Sequence, residues 1–436
     1  MIVLLEGRFF RATRLWLCIL AMASISLLNL RNVQGEDSWT RFRGNNAAGV
    51  NFETQIPLKW SDTENVAWKT ALPGRGSGSP VFQNGRIFLT AFSGYGVDAN
   101  NLGKIENLKL HTLCIDFESG KIHWDKWIKA SKSEQEATQR IVDHGYASPT
   151  PTVDESAVYS AFGPSGLVAY DWSGKQLWQC SIGSKTKGFG SASSPILYKN
   201  LVIINASIED QAVYGIDKAT GEIIWRTEGI RETWTTPTLV VLPDGSTELV
   251  LNQKEWILGL DPDTGKEIWR CKGIDDYVVP CVVVDGNMLY CSGGRQNRTI
   301  AVRAGGRGDV TATHKVWETV AGANVTSPLF YNGHLYWSHD KSMALCVRTS
   351  DGKEVFRERL ETSGRIYASV VLAGDRLLMT TRDAGVVMLA AEPVYRELGV
   401  NRLGNENESF NSTPAIVGNS LILRSDQFLY RIAEAK

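Results

Sequence analysis

Asp261-Pro-Asp-Thr-Gly265-Lys-Glu-Ile-Trp269 is the stretch of sequence that decides the fold. Leu258 and Leu260 end one short strand before it, and Glu267 begins a second strand within it. Gly265 suits the turn because such a turn usually needs one residue at positive φ, which glycine adopts without a Cβ clash. An aspartate at position 261 can accept hydrogen bonds from backbone amides further along the turn. The stretch therefore predicts a β-hairpin that presents a large apolar side chain, Trp269.

The same pattern recurs along the chain, so the hairpin is predicted to be a repeating unit. Its copies have an Asp, a Gly and a Trp at matching places: Asp116, Gly120 and Trp124; Asp217, Gly221 and Trp225; and, one residue shorter, Asp171, Gly174 and Trp178. Residues 348–356 and 392–398 are degenerate copies, where we expect looser contacts with the neighbouring unit.

A second marker precedes each hairpin, namely a small residue and a proline that open an apolar strand. The markers are Ser79-Pro80, Ser148-Pro149, Ser194-Pro195, Thr236-Pro237, Val279-Pro280, Ser327-Pro328 and Thr413-Pro414, with Ser369 in the same place without a proline. They follow one another every 42 to 48 residues after a first interval of 69. Turn dipeptides such as Asn84-Gly85 and Asp285-Gly286 fall inside the intervals and indicate hairpins. Eight groups of four antiparallel strands without helical periodicity predict an all-β protein, an eight-bladed β-propeller.

The strand count also predicts how the ring closes. The last unit has only three strands, whereas a tryptophan strand at residues 65–70 precedes the first marker. We expect this N-terminal strand to join the C-terminal blade, which removes the two exposed edges of an open array. The excess of the first interval lies at residues 94–109 and 131–143, and the spacing of Ser131 and Glu134 predicts a short helix there. This longer blade is either a site of partner contact or a tolerated surface insertion.

Residues 1–35 have the pattern of an export signal. Arg8, Arg11 and Arg14 precede a mostly apolar run, and small residues at Val33 and Gly35 predict cleavage after Gly35. The alternative is an uncleaved anchor. We therefore expect residues 36–436 to form a single domain that is periplasmic or secreted and has no transmembrane span after cleavage.

Charge and cysteine content narrow the classes of function. Residues 1–35 hold four Arg and one Glu, which leaves 42 basic and 46 acidic side chains spread along the rest of the chain. This balance gives no basic footprint for nucleic acid. Six cysteines follow the export signal, and four of them occupy equivalent repeat positions that a propeller keeps apart. Cys281 and Cys291 flank a predicted hairpin and could pair across it; buried thiols are the alternative.

The Asp-to-Trp repeat turns and the strand openings at Ser-Pro resemble the PQQ-like β-propeller repeat. The family with this repeat includes quinoprotein alcohol dehydrogenases and the barrel-assembly lipoprotein of the bacterial outer membrane. The opening residues Trp39 to Gly44, with Gly49-Val50 and Trp68-Lys69, look like the start of its exported bacterial members. The resemblance covers about residues 36–433. It implies that the repeat tryptophans pack between blades, and it says little about activity.

The resemblance to quinoproteins implies pyrroloquinoline quinone with calcium, a vicinal disulfide, a tryptophan platform and an aspartate base. No two cysteines are adjacent in this chain, and the enzymes of that group are usually longer. Zinc-protease, nucleophile-elbow and phosphate-loop motifs are absent from the sequence as well. We therefore expect no cofactor and no metal, and keep the quinone with calcium as an alternative.

Propeller geometry indicates where a site would lie. Loops from a fourth strand to the next blade, and loops from a second to a third strand, share one face. These loops supply the candidate residues for binding a ligand or partner, which are His144, Arg231, Trp234, Lys254, Arg295, His339, Asp340, Arg365, Arg382 and Asp383. Mixed charges and aromatic rings suit a polar ligand or a peptide segment.

The leading hypothesis is a non-catalytic exported scaffold that binds an envelope protein or a polymer on this face. Two alternatives remain open: a quinone-dependent oxidoreductase acting on alcohols or sugars, and a carbohydrate-binding propeller.

Overall fold

A computed structural model describes residues 38–98, 100–136, 144–362, 364–383, 385–405 and 407–434. The predicted export signal and most of the predicted helix at residues 131–143 therefore lie outside the described residues. Residues 131–136 form turns and extended chain instead of a helix. No helix in the described part of the chain is long and apolar enough to span a membrane.

The strands form eight sheets of at least four strands each, ordered from the axis outward, and the eight-bladed propeller is confirmed. Before the first complete blade come a 3-10 helix (Asn45–Ala47), β1 (Val50–Asn51) and β2 (Val66–Ala71). Blade 1 contains β3 (Val81–Gln83), β4 (Arg86–Ser93), β5 (Lys109–Asp116) and β6 (Ile122–Lys129), with a 3-10 helix (Ile105–Asn107) between β4 and β5. Blade 2 contains β7 (Thr152–Val153), β8 (Ala157–Ala161), β9 (Leu167–Asp171) and β10 (Gln176–Cys180), with a 3-10 helix (Gly163–Ser165). Blade 3 contains β11 (Ile196–Tyr198), β12 (Leu201–Ala206), β13 (Ala212–Asp217) and β14 (Ile223–Glu228).

The second half of the ring repeats this arrangement. Blade 4 contains β15 (Thr238–Val241), β16 (Thr247–Gln253), β17 (Trp256–Leu260) and β18 (Glu267–Lys272). Blade 5 contains β19 (Val283–Asp285), β20 (Met288–Gly293), β21 (Arg298–Arg303) and β23 (Lys315–Thr319); the connection before β23 holds β22 (Gly308–Asp309), which pairs with the outer edge of blade 4, and α1 (Thr311–His314). Blade 6 contains β24 (Leu329–Tyr331), β25 (His334–His339), β26 (Met343–Arg348) and β27 (Glu354–Arg359). Blade 7 contains β28 (Val371–Ala373), β29 (Arg376–Thr380), β30 (Val386–Ala390) and β31 (Glu397–Asn401). Blade 8 contains β32 (Ala415–Val417), β33 (Ser420–Arg424) and β34 (Phe428–Ile432).

The N-terminal strand closes the ring, as the strand count predicts. β2 pairs antiparallel with β34 and becomes the outer strand of blade 8. Trp68 of β2 then occupies the place of a repeat tryptophan, and its Nε1 donates to the carbonyl of Phe117 in blade 1 at 2.9 Å.

In five blades the glycine of the repeat turn lies against the tryptophan of the preceding blade. Asp261 accepts hydrogen bonds from the amides of Asp263 at 2.8 Å and Thr264 at 3.0 Å, so the predicted turn chemistry is present. Gly265 has a φ of 70° and lies against the ring of Trp225 in the preceding blade. The degenerate copy at residues 348–356 keeps this contact: Gly352 lies on Trp317, whose Nε1 donates to the carbonyl of Thr349 at 2.7 Å. The looser contact expected there is not found.

An N-terminal strap, residues 38–51, crosses the propeller axis on the face opposite the loops described above. Trp39 exchanges two backbone hydrogen bonds with Phe82 of blade 1, and the carbonyl of Thr40 accepts from the amide of Val153 in blade 2. The strap ends in β1, which runs parallel to β28 of blade 7. It therefore spans the ring from one side to the other.

We expect Trp68→Phe to lower the free energy of unfolding by about 1–2 kcal/mol, because the indole loses its bond to Phe117 and part of its contact with blade 1. Trp127→Phe is the matched control, since Trp127 lies on an outer strand and half of its surface is exposed. Trp127→Phe should lower the free energy of unfolding by less than about 0.5 kcal/mol. Urea unfolding followed by circular dichroism measures both, and equal losses would contradict closure through Trp68.

Candidate functional site

A cavity of about 360 Å³, the axial pocket, lies on the propeller axis and is lined by residues of all eight blades. Its upper part is formed by loops of the face that the sequence analysis selects, which we call the loop-rich face. Phe42 of the N-terminal strap lies in the lining as well. Small-molecule sites commonly have volumes of about 300–1,000 Å³, so the pocket has the size of a ligand site.

The lining has two layers with one residue per blade in each. The lower layer, the hydroxyl belt, consists of Ser79, Thr150, Ser194, Thr236, Cys281, Ser327, Ser369 and Thr413. The upper layer lies two residues earlier in each blade and consists of Ser77, Ser148, Ala192, Trp234, Val279, Val325, Tyr367 and Asn411. This spacing follows from extended chain, in which every second side chain points the same way.

The belt residues bind one another around the ring. The amide of Ser79 donates to Thr150 Oγ1 at 2.9 Å, and the amide of Thr150 donates to Ser194 Oγ at 2.9 Å. The same bond joins four more pairs of neighbouring blades, at 3.0 Å each: Ser194 to Thr236, Cys281 to Ser327, Ser327 to Ser369, and Ser369 to Thr413.

These bonds correct two strand markers. In blade 2 the equivalent position is Thr150, not Ser148, and in blade 5 it is Cys281, not Val279. Both assignments were wrong by two residues because the proline is a local signal, whereas the belt position depends on bonds to the next blade.

One side of the pocket is aromatic. The ring centroids of Phe189 and Trp234 are 5.6 Å apart, and each lies 6.0 Å from the ring of Tyr277. Trp234 Nε1 donates to the carbonyl of Gly190 at 2.8 Å, and Asn324 Nδ2 donates to the Tyr277 hydroxyl at 2.8 Å. In blades 1 to 3 the upper layer has only small residues. The pocket is thus asymmetric, with an aromatic wall formed by Phe189, Trp234 and Tyr277 and small side chains in the upper layer of blades 1 to 3.

Three of the candidate residues line the pocket, namely His144, Trp234 and Asp340. His144 Nδ1 lies 2.5 Å from Ser148 Oγ, which also lies 3.3 Å from the carbonyl of His144. Asp340 lies 2.8 Å from His339 Nδ1, and this contact lowers the pKa of Asp340. His339 itself is buried and does not line the pocket, with Nε2 3.2 Å from Asn297 Nδ2.

The remaining candidates surround the mouth. Arg231 pairs with Glu255, and Arg295 pairs with Asp276 at 2.9 Å and lies over the ring of Tyr277. On the other side of the mouth, Arg382 lies over the ring of Tyr367, and Arg365 contacts the hydroxyl of that tyrosine. Lys254 follows β16, and Asp383 is exposed after β29.

The pocket is also lined by residues that the loop positions do not predict. The belt hydroxyls were read only as strand openings, and the signal that could have found them is their recurrence once per blade. Phe189 lies in a loop without periodicity, and Phe42 reaches the axis only through the path of the strap.

A second, water-sized cavity of about 10 Å³ lies beside the axial pocket. Glu134 lines it and accepts from Ser165 Oγ at 2.6 Å. Nearby, Glu209 accepts from Ser191, another lining residue. Burial raises the pKa of each carboxyl to about 7, and for Glu134 the charge of Glu209 adds to this effect. Glu134 thus joins the insertion of blade 1 to blade 2, and Glu209 holds the loop that carries Phe189.

The quinone and calcium implied by the resemblance can be tested against these residues. Calcium takes about six to eight oxygen ligands and favours carboxylates. Asp340 is the single carboxylate in the pocket lining, and no three His, Cys, Asp or Glu side chains cluster as metal ligands in the described ranges. The six cysteines of the described chain, Cys281 and Cys291 included, are free thiols. These residues do not fit the quinone–calcium pair.

Comparison with known proteins places the chain among propellers of two kinds. A family model described as outer membrane protein assembly factor BamB matches residues 111–358, more than half of the chain. The crystal structure of BamB from Moraxella catarrhalis superposes with a TM-score of 0.56 at 13% identity, covering 84% of this chain and 96% of the other. Quinohemoprotein alcohol dehydrogenase from Comamonas testosteroni gives a TM-score of 0.64 at 12% identity, covering 95% of this chain and 84% of the other. A search of curated proteins finds no match. At such low identities the similarity shows the fold and leaves the activity open.

Proposed function

Because the chain belongs to the PQQ-like β-propeller family whose model is described as outer membrane protein assembly factor BamB, we propose that it is an exported, non-catalytic scaffold. Its loop-rich face binds an envelope protein or a polymer, and a group of that partner enters the axial pocket. We propose that residues 1–35 direct export and are removed after Gly35.

The composition of the axial pocket carries this proposal. The lining combines aromatic rings, amides and hydroxyls, which are groups that bind and orient a ligand. The Ser148–His144 contact is the one nucleophile–base pair in it, and the same hydroxyl lies close to the backbone carbonyl of His144, so the contact closes a local turn. Such a lining supports recognition of a ligand.

The mouth of the pocket supports a large partner. Arg231 and Arg295 are ion-paired at the surface, where exposed pairs contribute less than about 1 kcal/mol and can exchange partners at little cost. Arginine and tyrosine side chains are enriched where protein interfaces gain most of their energy. The stacked pairs Arg295–Tyr277 and Arg382–Tyr367 are of this kind.

Site-specific photo-crosslinking in the native host tests the proposal. A photoreactive amino acid at Arg382 or Tyr277 should yield a discrete crosslinked species, and the same amino acid at Asn332 should not. Asn332 lies in the turn between β24 and β25, on the opposite face. Intact mass of the purified protein shows in the same preparation whether residues 1–35 have been removed. Crosslinks from Asn332 alone, or none from either face, would overturn the proposal.

A kinetic assay tests the quinone alternative directly. Protein incubated with pyrroloquinoline quinone and Ca²⁺ should show no sustained dye reduction with alcohols or sugars. Sustained turnover that disappears in Asp340→Asn would establish the oxidoreductase instead.

A further inference from the structure

We infer that the axial pocket recognises a carboxylate-bearing sugar residue of an acidic polysaccharide. This inference rests on the proposed function and names the ligand class of the same pocket.

The hydroxyl belt is a ring of hydrogen-bond donors. Each of six belt hydroxyls accepts one bond from the backbone amide of the preceding blade. A hydroxyl has one proton to donate, and in the described chain none of the belt hydroxyls donates to a protein acceptor. Seven O–H groups, counting Ser79, are therefore available to oxygen atoms of a ligand.

Three guanidinium groups, of which those of Arg43 and Arg424 belong to fully buried residues, bind backbone carbonyls next to the belt and lie outside the pocket lining. Arg41 donates to the carbonyl of Pro237 at 3.3 Å, and Arg43 donates to that of Pro328 at 2.5 Å; each carbonyl follows directly after a belt residue. Arg424 donates to the carbonyl of Gly78, directly before Ser79, at 2.5 Å. Two of these arginines are anchored through the N-terminal strap, and the third through blade 8.

These guanidinium groups have hydrogen-bond donors without partners. Arg43 Nε and Nη1, Arg424 Nε and Nη2, and Arg41 Nε are buried and unbonded. Within the described ranges none of the three arginines forms an ion pair, and Asp426, which favours the charged form of Arg424, pairs with Arg75 at 3.5 Å. Burial lowers the pKa of Arg41 and Arg43 to about 10 and that of Arg424 to about 9, so all three remain protonated at neutral pH.

An anionic group in the pocket would compensate this charge. Buried charges without a counter-ion are destabilising, and unsatisfied buried donors in a folded protein call for a ligand, ion or water. The acidic group of a ligand seated on the belt would accept from several O–H donors, and the three positive charges bound to the backbone beside the belt would attract it.

The upper layer favours a sugar over an acidic peptide. The aromatic wall of Phe189, Trp234 and Tyr277 suits the apolar C–H face of a sugar ring. Binding of a peptide main chain needs free backbone groups, and six of the eight belt amides already bind the next blade. Asn324, whose Oδ1 has no protein donor, provides an acceptor for a sugar hydroxyl.

Calorimetric titration of residues 36–436 with trigalacturonate, neutral galactotriose and tri-aspartate tests the inference. Trigalacturonate should bind at least tenfold more tightly than galactotriose, and raising the salt concentration should weaken its binding. Ala192→Trp places a large side chain in the upper layer of the pocket and should abolish binding. Ala219→Trp, on an exposed turn of the same blade, is the control and should leave it unchanged.

Arg43→Gln tests whether the positive charge beside the belt, and not only the shape of the pocket, determines which sugar binds. It should reduce the preference for trigalacturonate over galactotriose and leave galactotriose binding unchanged; if it does not fold, the Ala192→Trp and Ala219→Trp pair still decides the site. Equal binding of the acidic and neutral sugars, binding of tri-aspartate alone, or binding unaffected by Ala192→Trp would overturn the inference. A partner crosslinked at Arg382 in a protein that ignores trigalacturonate would refute the acidic sugar while leaving the proposed scaffold function intact.

Discussion

Gly265→Ala should lower the free energy of unfolding by about 2–5 kcal/mol. A left-handed φ costs a non-glycine residue about 1–2 kcal/mol, and Gly265 has a φ of 70°. A Cβ would in addition lie 2.4 Å from the ring of Trp225 and 2.5 Å from Thr227 Oγ1. Forcing atoms into such packed contacts costs about 1–3 kcal/mol more.

Gly245→Ala isolates the two contributions. Gly245 has a φ of 84° in an exposed turn of the same blade, and a Cβ there would meet no atom within 4 Å. Gly245→Ala should therefore lower the free energy of unfolding only by the cost of the left-handed φ, about 1–2 kcal/mol. Urea unfolding of both variants measures the difference. Equal losses would show that the turn does not press on the neighbouring blade.

Glu209→Gln should stabilise the protein by about 2–3 kcal/mol at pH 8 and have little effect at pH 4.5. The raised pKa of about 7 means that the folded protein keeps the carboxyl proton at pH values where the unfolded chain, with a pKa near 4.5, has lost it. The stability due to that proton is fully present below about pH 4.5 and is lost as the pH rises to about 7. Glutamine removes the titration and still accepts from Ser191.

Glu155→Gln is the control for this pH dependence, because Glu155 is exposed on a turn of blade 2. It should shift stability by less than about 0.5 kcal/mol at either pH. Thermal unfolding from pH 4.5 to 8 measures both variants. A Glu209→Gln profile that runs parallel to the wild-type profile would show that the carboxyl is already ionised in the folded state.

The propeller architecture could be predicted from the sequence because the repeat depends on turns formed by residues that are close in sequence. The Asp and Gly of residues 261–265 select one turn, and the eight strand markers count the blades. Even ring closure followed from counting, since residues 65–70 had no other unit to join. The contact of residues 348–356 with the preceding blade is closer than predicted. The prediction rested on the replacement of a tryptophan by Phe356, whereas the contact depends on Gly352, which is retained.

The pocket was only partly predictable because it is built from long-range contacts. Trp234 and Asp340 could be placed by loop position, yet the burial of His339 outside the pocket lining depends on packing with residues such as Asn297, which is distant in sequence. The arginines of the strap gave no signal, since their carbonyl partners lie about 200 and 300 residues away in sequence.

The N-terminal strap has a consequence for the shape of anything that binds. With residues 38–51 across one end of the axis, the pocket is a dead end instead of a tunnel, and no polymer can thread through it. A long chain can be gripped only by its terminus or by a branch that projects sideways. The amount of protein bound would then depend on the number of chain ends and branches instead of on chain length. Cutting a polymer into shorter pieces would create more binding sites without altering its chemistry.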